Sequence, residues 1–447
     1  MVGRYKAYPA YKDSGVEWVK KVPSNWLVKP TYSVFEPTSQ KNTDGAENTV
    51  LSLSYGHIVE RDVEQNFGLL PASFNTYQIV SVNELILRLT DLQNDKKSLR
   101  VAISYLKGII TSAYLKLKVK KDLLPKYSYY LLHSYDTKKV FYGMGGGLRQ
   151  SMTFEEFRRL PILVPNLSEQ QTIAQFLDYE TAKIDALIAK QEQLIELLKE
   201  KRQAVISHAV TKGLNPDAPM KDSGVEWLGQ VPEHWEVIKL KNIISNLESG
   251  CSVNAEDTPV KENEVGVLKT SCVYTRKFRA SENKRVFVED LERVKCPARK
   301  GAIIISRMNT PDLVGASALV DIEIDNIYLP DRLWQTKFSK EVSSEFLVNF
   351  MLVEGFRNQI SLSAEGASSS MQSISKESYL NIHSLLPPLH EQIEISSFIY
   401  SQENRLDKLV SNSEVAISLL QERKTALISA AVTGKIDVRD WQPPSVG

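Results

Sequence analysis

The sequence lacks the features of secreted, membrane and metal-binding proteins. Its 447 residues include three cysteines, Cys251, Cys272 and Cys296, which cannot all pair and have no metal-ligand spacing. Residues 1–9 contain no apolar core of a signal peptide, and no run reaches the roughly 18 apolar residues that a membrane helix needs. These absences predict a cytoplasmic protein with reduced thiols, no membrane partner and no metal site.

An excess of charge of either sign is also missing. Lysine and arginine together number 55 and aspartate and glutamate 54, so the formal net charge is +1. Net charge alone gives no support for nucleic-acid binding, although local basic patches can act within a neutral protein. The hydrophobic content of 42% and the charged content of 24% are typical of globular proteins, and the length predicts two to three domains.

Signatures of enzymes are largely absent as well. The glycine-rich segment 143–147 lacks the Gly-Lys-Ser/Thr of a phosphate loop and follows a predicted helix. Residues 215–218, Asn-Pro-Asp-Ala, depart from the Asn/Asp-Pro-Pro-aromatic motif of base-methylating enzymes at their third and fourth positions. No Pro-Asp pair leads to the acid-x-Lys strand of a metal-dependent nuclease. We interpret the six scattered histidines as surface or helix-end residues, and the sequence predicts no catalytic residue.

The most regular feature present is a long helix that occurs twice. Residues 168–212 contain neither glycine nor proline, begin with the capping pattern Ser168-Glu169-Gln170 and are followed by Gly213. A matching segment, beginning at Glu391, returns 222 residues later. Polar residues interrupt the apolar stripe at the same positions in both copies, which favours two helices that hold one register against each other.

The stripe predicts a coiled coil in which the two helices pair. Its expected seam consists of apolar residues at 3-4 spacing, namely Leu177, Ile184, Leu187, Leu194, Leu198 and Val205 in the first helix and Ile399, Leu406, Leu409, Leu420 and Leu427 in the second.

A second repeat shows that the whole chain is duplicated. The heptapeptide Lys-Asp-Ser-Gly-Val-Glu-Trp occurs at residues 12–18 and 221–227, and each copy is followed by Val-Pro-x-x-Trp, ending at Trp26 and Trp235. Asp-Ser-Gly is turn chemistry, and the flanking tryptophans predict a packed surface turn. Between each motif and its helix lies a variable block of short β-like runs, so each half is predicted to be a mixed α/β domain.

Basic and amide side chains in both variable blocks are candidates for contacting DNA, because they bind phosphates and read base edges. The glycine and serine loops allow close approach of a polymer backbone. The candidates are Gly145, Gly146, Gly147, Arg149, Gln150, Lys96, Lys97 and Arg100 in the first block, and Arg276, Lys277, Arg307, Ser369, Ser370 and Gln372 in the second.

Two of these motifs resemble those of a known family. The run Lys-Asp-Ser-Gly-Val-Glu-Trp-Leu-Gly-x-Val-Pro-x-x-Trp at residues 221–235 resembles the opening motif of the specificity subunits of type I restriction-modification enzymes. The stretch from Gln372 through Pro387-Pro388-Leu389 to Glu391-Gln392 is similar to that family's entry into its long helices. The first copies, residues 12–26 and 150–170, depart from the pattern at Val19-Lys20 and Asn166.

The resemblance implies a fold and a function. The fold is α+β, with two mixed α/β target-recognition domains related by an internal pseudo-twofold repeat and separated by two long antiparallel coiled-coil helices. Each domain reads half of a bipartite, asymmetric site in double-stranded DNA. Two modification subunits dock on this subunit and methylate adenine with S-adenosylmethionine. Restriction subunits that use ATP and magnesium are an optional further partner, and the specificity subunit itself carries no cofactor and catalyses nothing.

The implied domain division follows the repeats. It places target-recognition domain 1 at residues 1–165, the first spacer helix at 166–213, target-recognition domain 2 at 214–388, the second spacer helix at 389–435 and a tail at 436–447. Two alternatives remain open at the level of sequence: a DNA methyltransferase or nuclease that acts alone, and a coiled-coil interaction scaffold without a role in DNA binding.

Overall fold

The computed structural model describes residues 5–62, 73–92, 98–144, 151–368 and 371–444. The chain forms two compact units. Unit 1 comprises Met1–Glu192 and Glu414–Gly447, and unit 2 comprises Gln193–Ser413. None of the described helices combines the length and the apolar character needed to cross a membrane.

Unit 1 is built on an antiparallel four-stranded sheet of order β4-β11-β8-β9, with short two-stranded sheets around it. Its strands are β1 (Tyr11–Asp13), β2 (Lys21–Pro23), β3 (Leu27–Pro30), β4 (Phe35–Pro37), β5 (Leu51–Ser54), β6 (His57–Glu60), β7 (Gln78–Val80), β8 (Leu85–Leu87), β9 (Val101–Ile103), β10 (Gly108–Ile110), β11 (Leu115–Val119) and β12 (Pro161–Val164). Its shorter helices are α1 (Thr31–Val34), α2 (Pro125–Thr137) and α3 (Phe154–Phe157).

Strands β8 and β9 of this sheet are apolar and buried at every position, so both of their faces are covered. Successive side chains of a strand point to opposite faces. Leu85 and Leu87 accordingly join the core that contains Leu131 and Tyr135 of α2. Ile86, between them, packs in a separate cluster with residues of β5, β7 and β10.

Unit 2 repeats this arrangement with a four-stranded sheet of order β16-β24-β20-β22. Its strands are β13 (Met220–Asp222), β14 (Gln230–Pro232), β15 (Glu236–Lys239), β16 (Ile244–Ser249), β17 (Ala255–Glu256), β18 (Gly266–Leu268), β19 (Asn283–Val286), β20 (Ile303–Ser306), β21 (Met308–Asn309), β22 (Ser317–Leu319), β23 (Ile327–Tyr328), β24 (Leu333–Phe338), β25 (Glu365–Ser368), β26 (Met371–Ser373) and β27 (His383–Leu386). Ile303 and Ile305 join the core that contains Phe346. Ile304, which points to the opposite face of the sheet, packs in a separate cluster of unit 2. It corresponds in this respect to Ile86 of unit 1.

The helices of unit 2 complete the same order of elements. They are α5 (Ser344–Phe350), α6 (Glu354–Ser363) and α7 (Lys376–Leu380). The two long helices lie on either side of them in the sequence: α4 (Leu167–Lys212) comes before them and α8 (Leu389–Val432) after them. Both boundaries between the units fall inside α4 and α8. The structure thus gives each unit a part of each long helix. The predicted domain division itself stays a prediction.

The long helices pair antiparallel within each unit. In unit 1, Lys424 of α8 binds both carboxylate oxygens of Asp185 in α4, at 2.6 and 2.7 Å. In unit 2, Arg202 of α4 forms an ion pair with Asp407 of α8. The later position in α4 meets the earlier position in α8, so the helices run in opposite directions. The predicted fold class, mixed α/β halves with a pair of long antiparallel helices, is confirmed.

The predicted seam is only partly the buried face of the pair. Leu187, Leu194 and Leu409 are 46%, 41% and 42% exposed, so these three leucines do not lie on a continuous buried stripe. They occupy the middle of the helices, away from the unit cores that cover the helix ends. The remaining seam residues are buried or half-buried, namely Leu177, Ile184, Leu198, Ile399, Leu406 and Leu427, and then Val205 and Leu420.

Each long helix is anchored to its unit by the Glu-Gln pair of its first turns. Gln170, fully buried, accepts a hydrogen bond from the backbone N–H of Leu124, the residue that caps α2, and donates to the carbonyl oxygens of Asp122 and Pro165. In unit 2, Gln392 accepts from Ser343 N–H, at the cap of α5, and donates to Pro387 O. The glutamines therefore join each long helix to the equivalent shorter helix.

A substitution of Gln170 tests this anchor. Gln170→Ala leaves a buried N–H and two carbonyl oxygens without partners, and we expect the free energy of unfolding to fall by about 2–4 kcal/mol. Urea denaturation followed by circular dichroism measures the loss. Gln171→Ala is the matched control because its side chain is exposed, and equal stability of the two variants would contradict the anchor.

Candidate nucleic-acid interface

A small sheet in unit 2 brings candidate DNA-contacting residues together. Strand β26 pairs with β21 on one side and β25 on the other, and Gln372 lies opposite Asn309. The backbone of Arg307 extends the pairing, since its carbonyl oxygen accepts a hydrogen bond from Ile374 N–H at 3.0 Å. The sheet thus places Arg307 and Gln372, which are far apart in sequence, on neighbouring strands.

Both side chains retain unused hydrogen-bonding capacity. Arg307 Nε, a donor, and Gln372 Oε1, an acceptor, are buried and have no hydrogen-bond partner among the described residues. Buried polar atoms in folded proteins are usually paired, so these two atoms are candidates for pairing with a ligand. Arginine and glutamine are also the side chains that read guanine and adenine edges.

The neighbouring Asn309 has a different role. Its amide nitrogen donates to Tyr274 Oη at 2.8 Å and to Ser306 Oγ at 3.2 Å, and the residue is buried. These bonds fix the loop that carries Tyr274 against the sheet. Asn309 therefore positions the surface and does not present its amide to a ligand.

The basic loop that follows Tyr274 contacts both long helices. Arg276, in the left-handed backbone region at φ 62°, donates to Gln203 Oε1 of α4 at 3.0 Å. Lys277 lies 3.5 Å from Asp407 of α8. Arg276 and Lys277, both predicted to contact DNA, thus bind side chains of the long helices. Arg307 and Gln372 lie instead on the small sheet.

This loop and the helices enclose a cavity of about 720 Å³ in unit 2, with Arg202, Tyr400 and Glu403 among its lining residues. Burial raises the pKa of Glu403, against the opposing effect of Arg202 and Lys277. The cavity therefore holds a carboxylate whose charge is unfavourably buried beside two cations.

Arg100 is the one candidate of unit 1 that lies in the described part of the chain, and the prediction for it was wrong. The residue has no exposed surface, and its guanidinium donates to the carbonyl oxygens of Arg88, Thr90 and Asp91. Its Nε donates to Tyr142 Oη at 3.0 Å. A guanidinium enclosed by carbonyl oxygens holds the chain together and cannot reach a phosphate.

The other candidates of unit 1 and two of unit 2 fall outside the described residues. They are Lys96, Lys97, Gly145, Gly146, Gly147, Arg149, Gln150, Ser369 and Ser370. The described neighbours still show the repeat, because Met152 N–H donates to Leu89 O at 2.8 Å in the same way as Ile374 N–H donates to Arg307 O.

The sequence interpretation overlooked Tyr142, next to the glycine-rich loop. Lys139 Nζ lies 4.4 Å from the centre of its ring, and the guanidinium carbon of Arg100 lies 5.2 Å from it. Tyr142 therefore belongs to the surroundings of Arg100, and the cations over its ring stabilise it there.

Two of the six histidines have defined surroundings in the described part of the chain. His133 lies inside α2, where burial lowers its pKa to about 4, so the expectation of a surface or helix-end position was wrong for it. His234 contacts Glu391 at 2.7 Å. Within the described ranges, no group of three or more His, Cys, Asp or Glu side chains is placed to hold a metal ion.

Comparison with known proteins shows which proteins this chain is similar to. Residues 101–197 match the family model described as the type I restriction modification DNA specificity domain. Residues 101–197 are therefore similar to a type I restriction-modification DNA specificity domain. The resemblance of the two sequence motifs to specificity subunits is confirmed.

Known relatives extend the match along the chain. The MjaVIII specificity subunit of Methanocaldococcus jannaschii is 27% identical over 343 residues, which cover 75% of this chain and 76% of the relative. The EcoKI specificity subunit of Escherichia coli is 26% identical over 301 residues, which cover 64% of this chain and 60% of the relative.

Solved structures show that the fold is shared. The HsdS subunit of Thermoanaerobacter tengcongensis aligns with a TM-score of 0.52 at 14% identity, over 93% of this chain and 98% of its own. A chain from a type I R-M system, studied for complex assembly and conformational transition, aligns with a TM-score of 0.63 at 15% identity, over 92% of this chain and 98% of its own.

The structural role of Arg100 can be tested against an exposed arginine. Arg100→Gln removes donors from the carbonyl oxygens of three residues, and we expect it to lower the free energy of unfolding by about 3 kcal/mol or more. Arg276→Gln, at an exposed loop position, should change it by less than about 0.5 kcal/mol. Thermal and chemical denaturation measure both variants. An unchanged stability of Arg100→Gln would show that the residue is not structural.

Proposed function

We propose that this chain reads a bipartite, asymmetric sequence in double-stranded DNA, with one half-site contacted by each unit. The observation that carries the proposal is the repetition of one topology with different side chains at equivalent positions. Leu89 in unit 1 corresponds to Arg307 in unit 2, and each accepts the same backbone hydrogen bond. Two scaffolds of one shape with different surfaces suit the reading of two different sequences.

In unit 2 the proposed reading surface is the small sheet of β21, β26 and β25 with the Tyr274 loop beside it. Arg307 and Gln372 supply the donors and acceptors for base edges, and their unpaired atoms become satisfied when DNA is bound. In unit 1 we propose the same role for the predicted residues Arg149 and Gln150 and for the glycine-rich segment. Lys96, Lys97, Ser369 and Ser370 are proposed to contact phosphates.

The proposed partners are two modification subunits that methylate an adenine in each half-site. S-adenosylmethionine is proposed to bind to these partners, and ATP and magnesium to a restriction subunit where one joins. This chain itself is proposed to catalyse nothing. Support for two equal partners comes from exposed leucines related by the internal repeat. Unit 1 exposes Leu187 and Leu419, and unit 2 exposes the equivalent Leu409 and Leu197, in both cases on the long helices.

Selection of binding sites from random duplexes, with the chain assembled with its modification subunit, tests this function. We expect a recovered sequence with two defined halves and a gap of fixed length. Recovery of no consensus would favour a scaffold without a role in DNA binding. Methyl transfer or cleavage by the purified chain alone, with S-adenosylmethionine or a divalent metal, would favour an enzyme that acts by itself.

A substitution of Gln372 tests the reading surface of unit 2. Gln372→Ala should relax the choice of base at one position of one half-site by about 1–3 kcal/mol and leave the other half-site unchanged. Gln359→Ala, in α6 of the same unit, is the control and should preserve both halves. A uniform loss of affinity across all sequences, with unaltered base preference, would assign Gln372 to backbone contact instead.

The length of the paired helices should set the gap between the half-sites. Insertion of four residues into both α4 and α8 lengthens each helix by about 6 Å, close to two base-pair steps. Binding-site selection should then recover a longer gap between unchanged half-site sequences. Recovery of the original gap would contradict the spacer role while leaving DNA reading by the units intact.

A further inference from the structure

The Val-Pro-x-x-Trp sequence that closes each turn motif contacts both long helices at once. In unit 1, Trp26 is fully buried, and its Nε1 donates to Glu169 Oε1 in the first turn of α4 at 2.8 Å. The same ring packs against Gly434, two residues beyond the end of α8. A Cβ atom on Gly434 would overlap the ring of Pro23 and lie 3.4 Å from Trp26 Cη2. One tryptophan thus joins the start of one helix to the end of the other.

Unit 2 contains the same contact, formed by the other ends of the two helices. Trp235 Nε1 donates to Glu391 Oε2 in the first turn of α8 at 2.9 Å. A Cβ atom on Gly213, the residue directly after α4, would lie 3.3 Å from Trp235 Cζ2 and 3.9 Å from Pro232 Cγ. Gly213 and Gly434 have φ of +77° and +69°, which glycine adopts without strain.

These contacts are sensitive to sliding of one helix along the other. An indole ring is rigid, and a shift of one helical turn moves a helix end by about 5.4 Å. Such a shift separates the ring either from the glutamate or from the glycine. The Asp185–Lys424 and Arg202–Asp407 ion pairs, which are related by the internal repeat, show that one register is kept in both units.

The relative strengths of these interactions indicate which of them sets the register. The side chains of the ion pairs are 29–53% exposed, so solvent and salt weaken their attraction. Leu187 and Leu194, which would interlock in a continuous seam, are exposed. A hydrogen bond to a carboxylate is stronger than one between neutral groups, and each tryptophan adds the packing of a buried ring.

We propose that the two Val-Pro-x-x-Trp motifs are clasps that set the register of the long helices. Their positioning residues are Trp26, Glu169 and Gly434 in unit 1 and Trp235, Glu391 and Gly213 in unit 2. The turn motif is therefore a device for alignment and makes no contact with DNA bases. The register held by the clasps also defines the gap between the DNA half-sites, a step that rests on the proposed function.

A zero-length carbodiimide crosslink between Asp185 and Lys424 reports the register directly in the full chain. Its yield is measured by mass spectrometry of the linked peptides, in Trp26→Phe and in Gly434→Ala. Trp26→Phe keeps an aromatic ring but loses the bond to Glu169, and Gly434→Ala forces the end of α8 away from Pro23. We expect the yield to fall by about tenfold in both, the population change that corresponds to about 1.4 kcal/mol.

Two controls lie in the same motif of unit 1. Trp18→Phe changes a tryptophan that packs on Tyr135, a residue of α2. Gly15→Ala imposes the same backbone strain as Gly434→Ala, because Gly15 has φ of +67°, but a Cβ atom there meets nothing within 4 Å. Both should retain the crosslink yield of the unchanged chain. Gly434 lies just beyond a helix end, so we expect Gly434→Ala to fold. It therefore still tests the proposal if Trp26→Phe does not fold.

The crosslink needs no DNA, so it separates the two proposals. Unchanged crosslink yield in folded Trp26→Phe or Gly434→Ala overturns the clasp. A reduced yield, with site selection by the unchanged complex giving no bipartite consensus, supports the clasp and refutes the proposed function. A reduced yield together with a broadened gap between unaltered half-sites supports both.

Discussion

The structure depends on a carboxylate in the first turn of each long helix, buried in α4 and half-buried in α8. Glu169 accepts hydrogen bonds from Tyr8 Oη at 2.6 Å, Trp26 Nε1 at 2.8 Å and Asn25 Nδ2 at 3.2 Å. Burying a charge is costly unless several donors replace its water, and these three do so. The donors come from the start of the chain and the acceptor from a residue more than 140 positions later. The bond therefore fixes how a folded unit meets its helix.

The second copy of this site shows which parts of it are essential to the architecture. The tryptophan and the glutamate recur as Trp235 and Glu391, whereas His234 replaces Asn25 as a neighbour of the carboxylate. The adjacent glutamines repeat their bonds to the caps of α2 and α5. What is kept is the connection between turn motif, long helix and short helix. What varies lies on the sheet strands and loops, where different side chains permit different recognition.

Arg100 and Arg307 illustrate why residue type alone does not decide the role of a basic side chain. Both were candidates for DNA contact because of their charge. Arg100 is enclosed by the carbonyl oxygens of a loop and serves the fold, whereas Arg307 keeps a buried Nε without a partner beside Gln372. The difference arises from the path of the surrounding backbone. A basic residue that follows a strand can be buried by a loop or left at the surface. The sequence does not decide between these because it does not give the path of the loop.

The sequence by itself determined the duplication, the two long helices and the mixed α/β character of each half, because these depend on local composition and on identities at fixed spacing. Only the tertiary structure decided that Leu187, Leu194 and Leu409 are exposed, since burial at the middle of a helix depends on which neighbours reach it. It also decided that each tryptophan lies between the beginning of one helix and the end of the other. Residues so far apart in sequence are brought together by packing, which no local pattern specifies.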